Sequence, residues 1–137
     1  MDNTTSDLSK YRMEKAKEDL SAAELLLNNN HFAQSLNRSY YANFHAVRSL
    51  LAYDKFDSKT HSGIISYFNK NYVKDGGIDK KYSEILMNSQ RVRTKSDYDD
   101  LYVADKETTE VQLANAKEFI AFIKNYIKQN LGLLHNK

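Results

Sequence analysis

Proline is absent from the 137 residues of this chain, and glycine occurs only four times. These are the two residues that most often interrupt or end a helix. Every segment longer than ten residues also repeats its apolar positions at intervals of three or four, which is the period of an α-helix and not of a strand. Together these features predict an all-α fold, an antiparallel helical bundle of about five helices.

The predicted helices follow one another with short connections. They are expected over about residues 8–28 and 31–53, from Ser58 or Thr60 to a turn at 75–77, and over about 78–92 and 106–130. Ser6 or Ser9 is the predicted cap of the first helix. Because only a run of asparagines separates the first two helices, they should form an antiparallel hairpin. The polar stretch 93–100 is expected to lie outside the helices.

Domain organisation is predicted to be simple. No internal repeat and no low-complexity linker divides the chain. A hydrophobic content of 41% suffices for one core and leaves little for a second. We therefore expect a single domain over residues 1–137, with an ordered core at about 8–130.

Composition also narrows the classes of function. The chain has no cysteine, which excludes disulfides, thiolate metal sites and a cysteine nucleophile and fits a reducing compartment. No signal-like segment and no apolar run of roughly 18 residues occurs, so a cytoplasmic protein outside the membrane is expected. The net charge of +2 requires that any contact with RNA be local. Phosphate-loop and zinc-binding motifs are also missing, and we expect neither a cofactor nor a metal.

The second predicted helix has an apolar and a polar side. At about 100° per residue, Phe32, Leu36, Tyr40, Phe44, Val47 and Leu51 share one side, and the opposite side carries Gln34, Asn37, Arg38, Tyr41, His45 and Arg48. Arg38 and His45 lie two turns apart, on the order of 10 Å along the axis, with Tyr41 between them. The polar side is either simply solvated or, because it contains neither lysine nor glutamate, suited to binding phosphate, stacking on bases and transferring protons.

A second polar group follows the fourth predicted helix. Arg91, Arg93 and Lys95 precede carboxylates at positions 97, 99 and 100. These charges can pair with one another and hold a loop in place. Alternatively, Arg93 binds a phosphate beside Tyr98. A Mg²⁺ site is the weaker alternative, because no second acidic cluster accompanies the three carboxylates. His61 lies at the start of the third predicted helix. A histidine at that position caps the helix or packs against it more often than it takes part in binding or catalysis.

Four segments of the chain together resemble a known family. They are residues 15–23 (KAKEDLSAA), 37–46 (NRSYYANFHA), 59–63 (KTHSG) and 96–99 (SDYD). In this order and at these spacings the chain is similar, over about residues 8–127, to the HEPN domains of a prokaryotic group often encoded beside a minimal (MNT) nucleotidyltransferase.

The resemblance implies a helical bundle that forms a homodimer and acts as the toxin of a HEPN/MNT toxin-antitoxin pair. For active members it also implies metal-independent RNA cleavage by an arginine that a histidine follows after four to six residues. Arg38 and His45 have six residues between them, whereas Arg93, nearer the usual place of the family motif, is followed by Tyr98 and no histidine. The alternative function is a non-catalytic helical module that docks a nucleotidyltransferase or binds a nucleotide.

The candidate site combines the two polar groups, since a bundle can bring the second helix beside the end of the fourth. Arg38, His45 and Arg93 are the predicted catalytic residues of an endoribonuclease, and Asn37, Tyr41, Asp97 and Tyr98 are the predicted substrate-binding residues. The expected partners are RNA and an MNT-type nucleotidyltransferase.

Overall fold

A computed structural model describes residues 3–132 and contains five α-helices and no strand over that range. The helices are α1 (Asn3–Asn28), α2 (Phe32–Leu51), α3 (His61–Phe68), α4 (Lys80–Tyr98) and α5 (Lys106–Ile127). A short 3₁₀ turn, Ala52–Asp54, follows α2, and π-helical turns extend α3 over Asn69–Lys74 and α5 over Lys128–Gly132. The prediction of an all-α bundle is confirmed. The predicted domain ends at 1–2 and 133–137 lie outside the described residues.

The first two helices pack side by side in opposite directions, as predicted. Asn30 closes their connection in the left-handed region (φ 64°), and the backbone N–H of His31 donates to the carbonyl of Leu26 (2.8 Å). Just beyond the connection, the Ser35 hydroxyl donates to the Ala23 carbonyl (2.8 Å). The hairpin is therefore held by backbone and side-chain hydrogen bonds where the chain reverses.

None of the helices described is long and apolar enough to cross a bilayer.

α1 begins earlier than the sequence predicted. It starts at Asn3 and not near residue 8, so Ser6 and Ser9 lie inside the helix and do not cap it. Ser9 is buried; its hydroxyl bonds to the Ser49 hydroxyl (2.9 Å), which donates to the Ser9 carbonyl (2.8 Å). The prediction was wrong because a small polar residue suits both a helix cap and a close helix–helix contact.

α2 lies at the centre and is covered by α1, α4 and α5. Its predicted apolar side is buried from Leu36 to Leu51, and small polar residues are buried where neighbouring helices approach. From residue 34 onward, the positions of α2 left partly or fully uncovered are the six of the predicted polar side: Gln34, Asn37, Arg38, Tyr41, His45 and Arg48. We call these six residues the α2 stripe.

The start of α3 places His61 beside α2. Thr60, one of the two residues predicted to begin this helix, caps it, and its hydroxyl oxygen accepts the backbone N–H of Gly63 (3.0 Å). Glycine fits position 63 because a Cβ atom there would lie 2.9 Å from the Cβ of Ser58, which would have to shift. His61 is therefore the first residue of α3, held where the loop meets the bundle.

α4 continues to Tyr98, so the prediction that residues 93–100 lie outside the helices is wrong for all but the last two. Arg93 and Asp97, one turn apart, form an ion pair within this last part of the helix (Nε to Oδ2, 2.9 Å). The side chains of Arg93 and Asp97 face the α2 stripe. Because hydrophobic periodicity detects only helices with an apolar inner side, it could not reveal this turn and a half.

Candidate functional site

The α2 stripe forms the floor of a polar trough between α1 and α4. Asp19 of α1 reaches it from one side, and Arg93 and Asp97 of α4 reach it from the other. His61 of α3 contacts α2 next to the same ring systems. An open depression of about 420 Å³ adjoins the trough at Arg38.

Arg38 is fixed by its neighbours but remains accessible. Its Nη1 donates to an oxygen of Asp19 (2.8 Å), while Nε and Nη2 donate to the side-chain oxygen of Asn37 (3.0 and 2.6 Å). The guanidinium carbon lies 5.0 Å from the centroid of the Tyr41 ring. Since 37% of the side chain is exposed, an anion from solvent can reach the planar face and edge of this group.

Arg93 approaches the same tyrosine from α4. Its Nη2 donates to the Tyr41 hydroxyl (3.2 Å), and its guanidinium carbon lies 5.4 and 5.2 Å from the ring centroids of Tyr40 and Tyr41. Its Nε is 2.9 Å from Asp97 but does not point along a hydrogen bond to it. Two arginines, 55 positions apart in the chain, therefore meet at one tyrosine ring, and each is accompanied by a carboxylate.

Further contacts join the remaining predicted residues to this pair of arginines. The amide nitrogen of Asn37 donates to Asp97 (3.2 Å), which links α2 to α4. Tyr98 lies at the rim with 73% of its surface exposed, and its ring centroid is 5.9 Å from the Arg93 guanidinium. Six of the seven predicted residues thus form one contact network: Asn37, Arg38, Tyr41, Arg93, Asp97 and Tyr98.

His45, the seventh predicted residue, joins the network through Asp19. Its Nε2 lies 3.6 Å from the second oxygen of Asp19, and its Nδ1 is buried without a hydrogen-bond partner among the described residues. Burial lowers the pKa of His45 and the Asp19 carboxylate raises it, while the cations Arg48, Lys15 and Arg38 lower it further. The net lowering keeps the imidazole neutral at pH 7, with the proton on Nε2 facing the carboxylate.

Asp19 is a site residue outside the seven predicted from the sequence. It follows Ala16 by three positions and precedes Ala23 by four, and both alanines are fully buried. A carboxylate at that spacing must point toward the core, where it is expected only if it is paired. This signal was present in the sequence, whereas the identity of its partners depends on how α1 packs against α2.

His61 and Tyr40 were also not assigned to the site. Nδ1 of His61 lies 2.8 Å from the Tyr40 hydroxyl, and its ring stacks on Phe44 with 4.2 Å between centroids. Tyr40 was placed on the apolar side of α2, and it is fully buried. Its hydroxyl nevertheless reaches the histidine, because a tyrosine can bury its ring and still bring a polar tip to the edge of the core.

Three other charged residues of the second polar group do not join the site: Arg91, Lys95 and Asp99. Arg91 bonds to Asn88 of its own helix and, with Lys95, lines a separate depression of about 950 Å³ between α4 and α5. Asp99 turns away from Asp97 and accepts the backbone N–H of Leu101 (3.0 Å). Among residues 3–132, no three histidine, aspartate or glutamate side chains converge as metal ligands. The Mg²⁺ alternative for this segment therefore has no support from the geometry.

Comparison with known proteins agrees with the resemblance seen in the four segments. A family model described as the HEPN domain matches residues 9–126. A protein of Methanocaldococcus jannaschii, named as a candidate toxin, is 33% identical over 119 residues, which cover 87% of this chain and 88% of that protein. A UPF0332 protein of Thermotoga maritima is 29% identical over 92% of this chain and 96% of its own length. A second M. jannaschii candidate toxin is 30% identical over 84% of this chain and 78% of its own length.

Proposed function

The chain belongs to the HEPN family, and from that premise we propose that it is a toxin that cleaves RNA without a metal ion at the Arg38 and Arg93 site. The observation that carries the proposal is the meeting of these two arginines at the ring of Tyr41. The two candidate toxins of M. jannaschii among its relatives support the biological role.

The two arginines suit a phosphodiester. A guanidinium group offers paired N–H donors that match two phosphate oxygens, and Asp19 and Asp97 hold the two groups in place before a ligand arrives. Tyr41 lies between them and provides a surface on which a base can stack. The depression beside Arg38, lined also by Leu26 and Gln34, has the volume of a site for one nucleotide.

Cleavage would use the 2′-hydroxyl of the RNA itself. That oxygen attacks the adjacent phosphorus, and Arg38 and Arg93 stabilise the negative charge that builds up on the phosphorane oxygens. A histidine that is neutral at pH 7 can take the hydroxyl proton, and the lowered pKa values of His45 and His61 leave two neutral candidates for this role. No step requires a metal ion.

The test is cleavage of a bulk tRNA pool in the presence of EDTA. We expect activity in the wild type, and a loss of 100-fold or more in Arg93→Ala because one phosphorane contact is removed. Arg91→Ala is the matched control, since Arg91 lies two residues away on α4 and outside the trough, and it should cleave like the wild type. Activity that EDTA abolishes would rule out the metal-free mechanism, and equal activity of the three proteins would rule out the site.

One observation favours a second candidate function, the non-catalytic binding module. Neither ring nitrogen of His45 is placed to accept a proton from a substrate, because Nδ1 is buried and Nε2 faces the Asp19 carboxylate at 3.6 Å. If no other group moves the proton, the two arginines and Tyr41 would bind a nucleotide or a partner protein without turnover. Binding of RNA at unchanged length, with no cleavage by the wild type, would establish this alternative.

The proposed partners are an MNT-type nucleotidyltransferase as antitoxin and a second copy of the chain. Either partner could bind over the open side of the trough, because no other element of the described chain covers the α2 stripe there. Light scattering at high micromolar concentration should give the mass of a dimer. Co-expression with a nucleotidyltransferase encoded next to the gene should yield a stable complex, and a monomer that fails to bind it would contradict the assignment.

A further inference from the structure

We propose that His61, and not His45, is the group that takes the 2′-hydroxyl proton, with Tyr40 as the residue that positions it. This inference rests on the proposed ribonuclease function and names the residue that performs its proton transfer. The sequence gives no hint of the pairing, since His61 begins α3 and Tyr40 lies in the middle of α2.

The ring of His61 is held on three sides. Its Nδ1 is 2.8 Å from the Tyr40 hydroxyl. One face stacks on Phe44 at 4.2 Å between centroids, with 26° between the ring planes. The edge of the ring meets Tyr41 at 5.6 Å in a T-shaped arrangement. A side chain restrained in this way has a fixed orientation, which a base needs in order to meet a proton at a defined position.

The second nitrogen of His61 is available. Nε2 makes no hydrogen bond to any residue of the described chain, whereas in His45 Nδ1 is buried and Nε2 faces the Asp19 carboxylate. When Nδ1 carries the proton and donates it to the Tyr40 oxygen, the lone pair of Nε2 remains free to accept another. The tyrosine oxygen also stabilises the imidazolium that this transfer creates, because an N–H donor from a cation strengthens the bond.

Arg93 connects His61 to the phosphate site. Its guanidinium covers the rings of Tyr40 and Tyr41, the same two rings that contact His61. A phosphodiester bound to Arg93 at the Tyr41 hydroxyl would therefore lie at the edge of these rings, next to the histidine. The family motif implied by the resemblance places a histidine after the arginine in the chain; here α3 supplies one in space.

The step balances without a co-reactant other than water. The 2′-hydroxyl proton moves to Nε2 of His61 as the bond from O2′ to phosphorus forms and the bond from phosphorus to O5′ breaks. The departing 5′-oxygen takes a proton from water, and the resulting hydroxide removes the proton from Nε2. The products are a 2′,3′-cyclic phosphate and a 5′-hydroxyl end, and His61 returns to its neutral form.

The charges around His61 favour the neutral form that a base requires. The groups that face it are Tyr40 and Tyr41 of α2 and Arg93 of α4, with Arg48 of α2 acting at longer range. Burial lowers the pKa of His61 below its usual 6.5, and Arg93 and Arg48 lower it further. The rate should therefore be constant near pH 7 and fall only as the pH drops through this lowered pKa.

The experiment compares His61→Asn, Tyr40→Phe and wild type in cleavage of bulk tRNA with EDTA. Asparagine can place a polar atom near the position of Nδ1 and keep the bond to Tyr40, but it has no group at the position of Nε2. We expect His61→Asn to cleave at least 100-fold more slowly. Its affinity for a single-stranded 2′-O-methyl RNA, which cannot be cleaved, and its melting temperature should stay close to those of the wild type. His31→Asn, at an exposed histidine, is the control and should be fully active.

Tyr40→Phe tests whether the Tyr40 hydroxyl positions His61, because phenylalanine keeps the packing of the ring and removes only the hydroxyl. Loss of the acceptor for the Nδ1 proton lowers the pKa of His61 further, so the acid limb of the rate profile should move to lower pH while RNA affinity is retained. Wild-type cleavage with an equally active His61→Asn would overturn the assignment of His61 and leave the proposed function intact. Equal losses of binding and cleavage in His61→Asn would also overturn it. A wild type that cleaves no RNA would overturn both.

Discussion

Asp19 shows how one residue can hold two others. One of its carboxylate oxygens accepts from Arg38 (2.8 Å) and the other faces His45 (3.6 Å), and only 15% of its side chain is exposed. A carboxylate so deeply placed is stable only because it is paired. Asp19 therefore fixes the orientation of the arginine and the tautomer of the histidine together, although it need not touch a substrate.

Replacing Asp19 with asparagine removes the negative charge of this side chain and keeps its shape. The variant keeps the volume but leaves Arg38 without its counter-ion, so we expect a loss of about 1–2 kcal/mol in the free energy of unfolding. The pKa of His45 should also fall further, because Asp19 is the group that raises it. Chemical denaturation measures the first effect, and NMR titration of the histidine measures the second.

Glu18→Gln is the matched control for this substitution. Glu18 is the neighbouring residue on α1, it is exposed, and its change should alter stability by less than about 0.5 kcal/mol. If both variants lost the same stability, the contacts of Asp19 would be no stronger than those of an ordinary surface carboxylate.

At the scale of elements, the sequence predicted what the hydrophobic period can detect. The five helices, the α1–α2 hairpin and the polar side of α2 all follow from apolar residues that recur every three or four positions. The hydrophobic period does not reveal a helical turn whose polar side chains pack against another polar surface. This is why the sequence predicts a loop at the end of α4, where Arg93 and Asp97 face the α2 stripe.

Substitution at Lys95 tests the helical end of α4. Lys95 is exposed, and its carbonyl accepts the N–H of Asp99 (2.9 Å), so glycine should destabilise the protein by about 1 kcal/mol relative to alanine. Since Arg93 and Asp97 flank this position, the glycine variant should also cleave RNA more slowly. The same glycine and alanine pair at Asp100, beyond the helix, should differ little in thermal unfolding. Equal values at Lys95 would mean that this segment is not helical in solution.

At the scale of the whole molecule, the site depends on residues from four helices. Asp19, Arg38, His61 and Arg93 lie on α1, α2, α3 and α4, and their side chains meet only because of how these helices pack. The sequence supplied the residue types on α2 and α4 and the expectation that the two helices are neighbours. It could not connect Asp19 or His61 to the arginines, because no local spacing relates either residue to them.

The low net charge of the molecule leads to a prediction for RNA binding as a whole. With a formal charge of only +2, affinity should come from the two arginines of the trough and not from a general positive field. Each phosphate contact to a single strand contributes about −0.7 to the slope of log affinity against log salt concentration. Because both arginines bind one phosphate, titration of a 2′-O-methyl RNA at several salt concentrations should give a slope of about −0.7 for the wild type and a shallower slope for Arg93→Ala. Arg91→Ala should keep the wild-type slope, because Arg91 lies in the separate depression between α4 and α5. A much steeper slope, or an equal change in both variants, would show that the phosphates are bound by a broad surface and not by this pair of arginines.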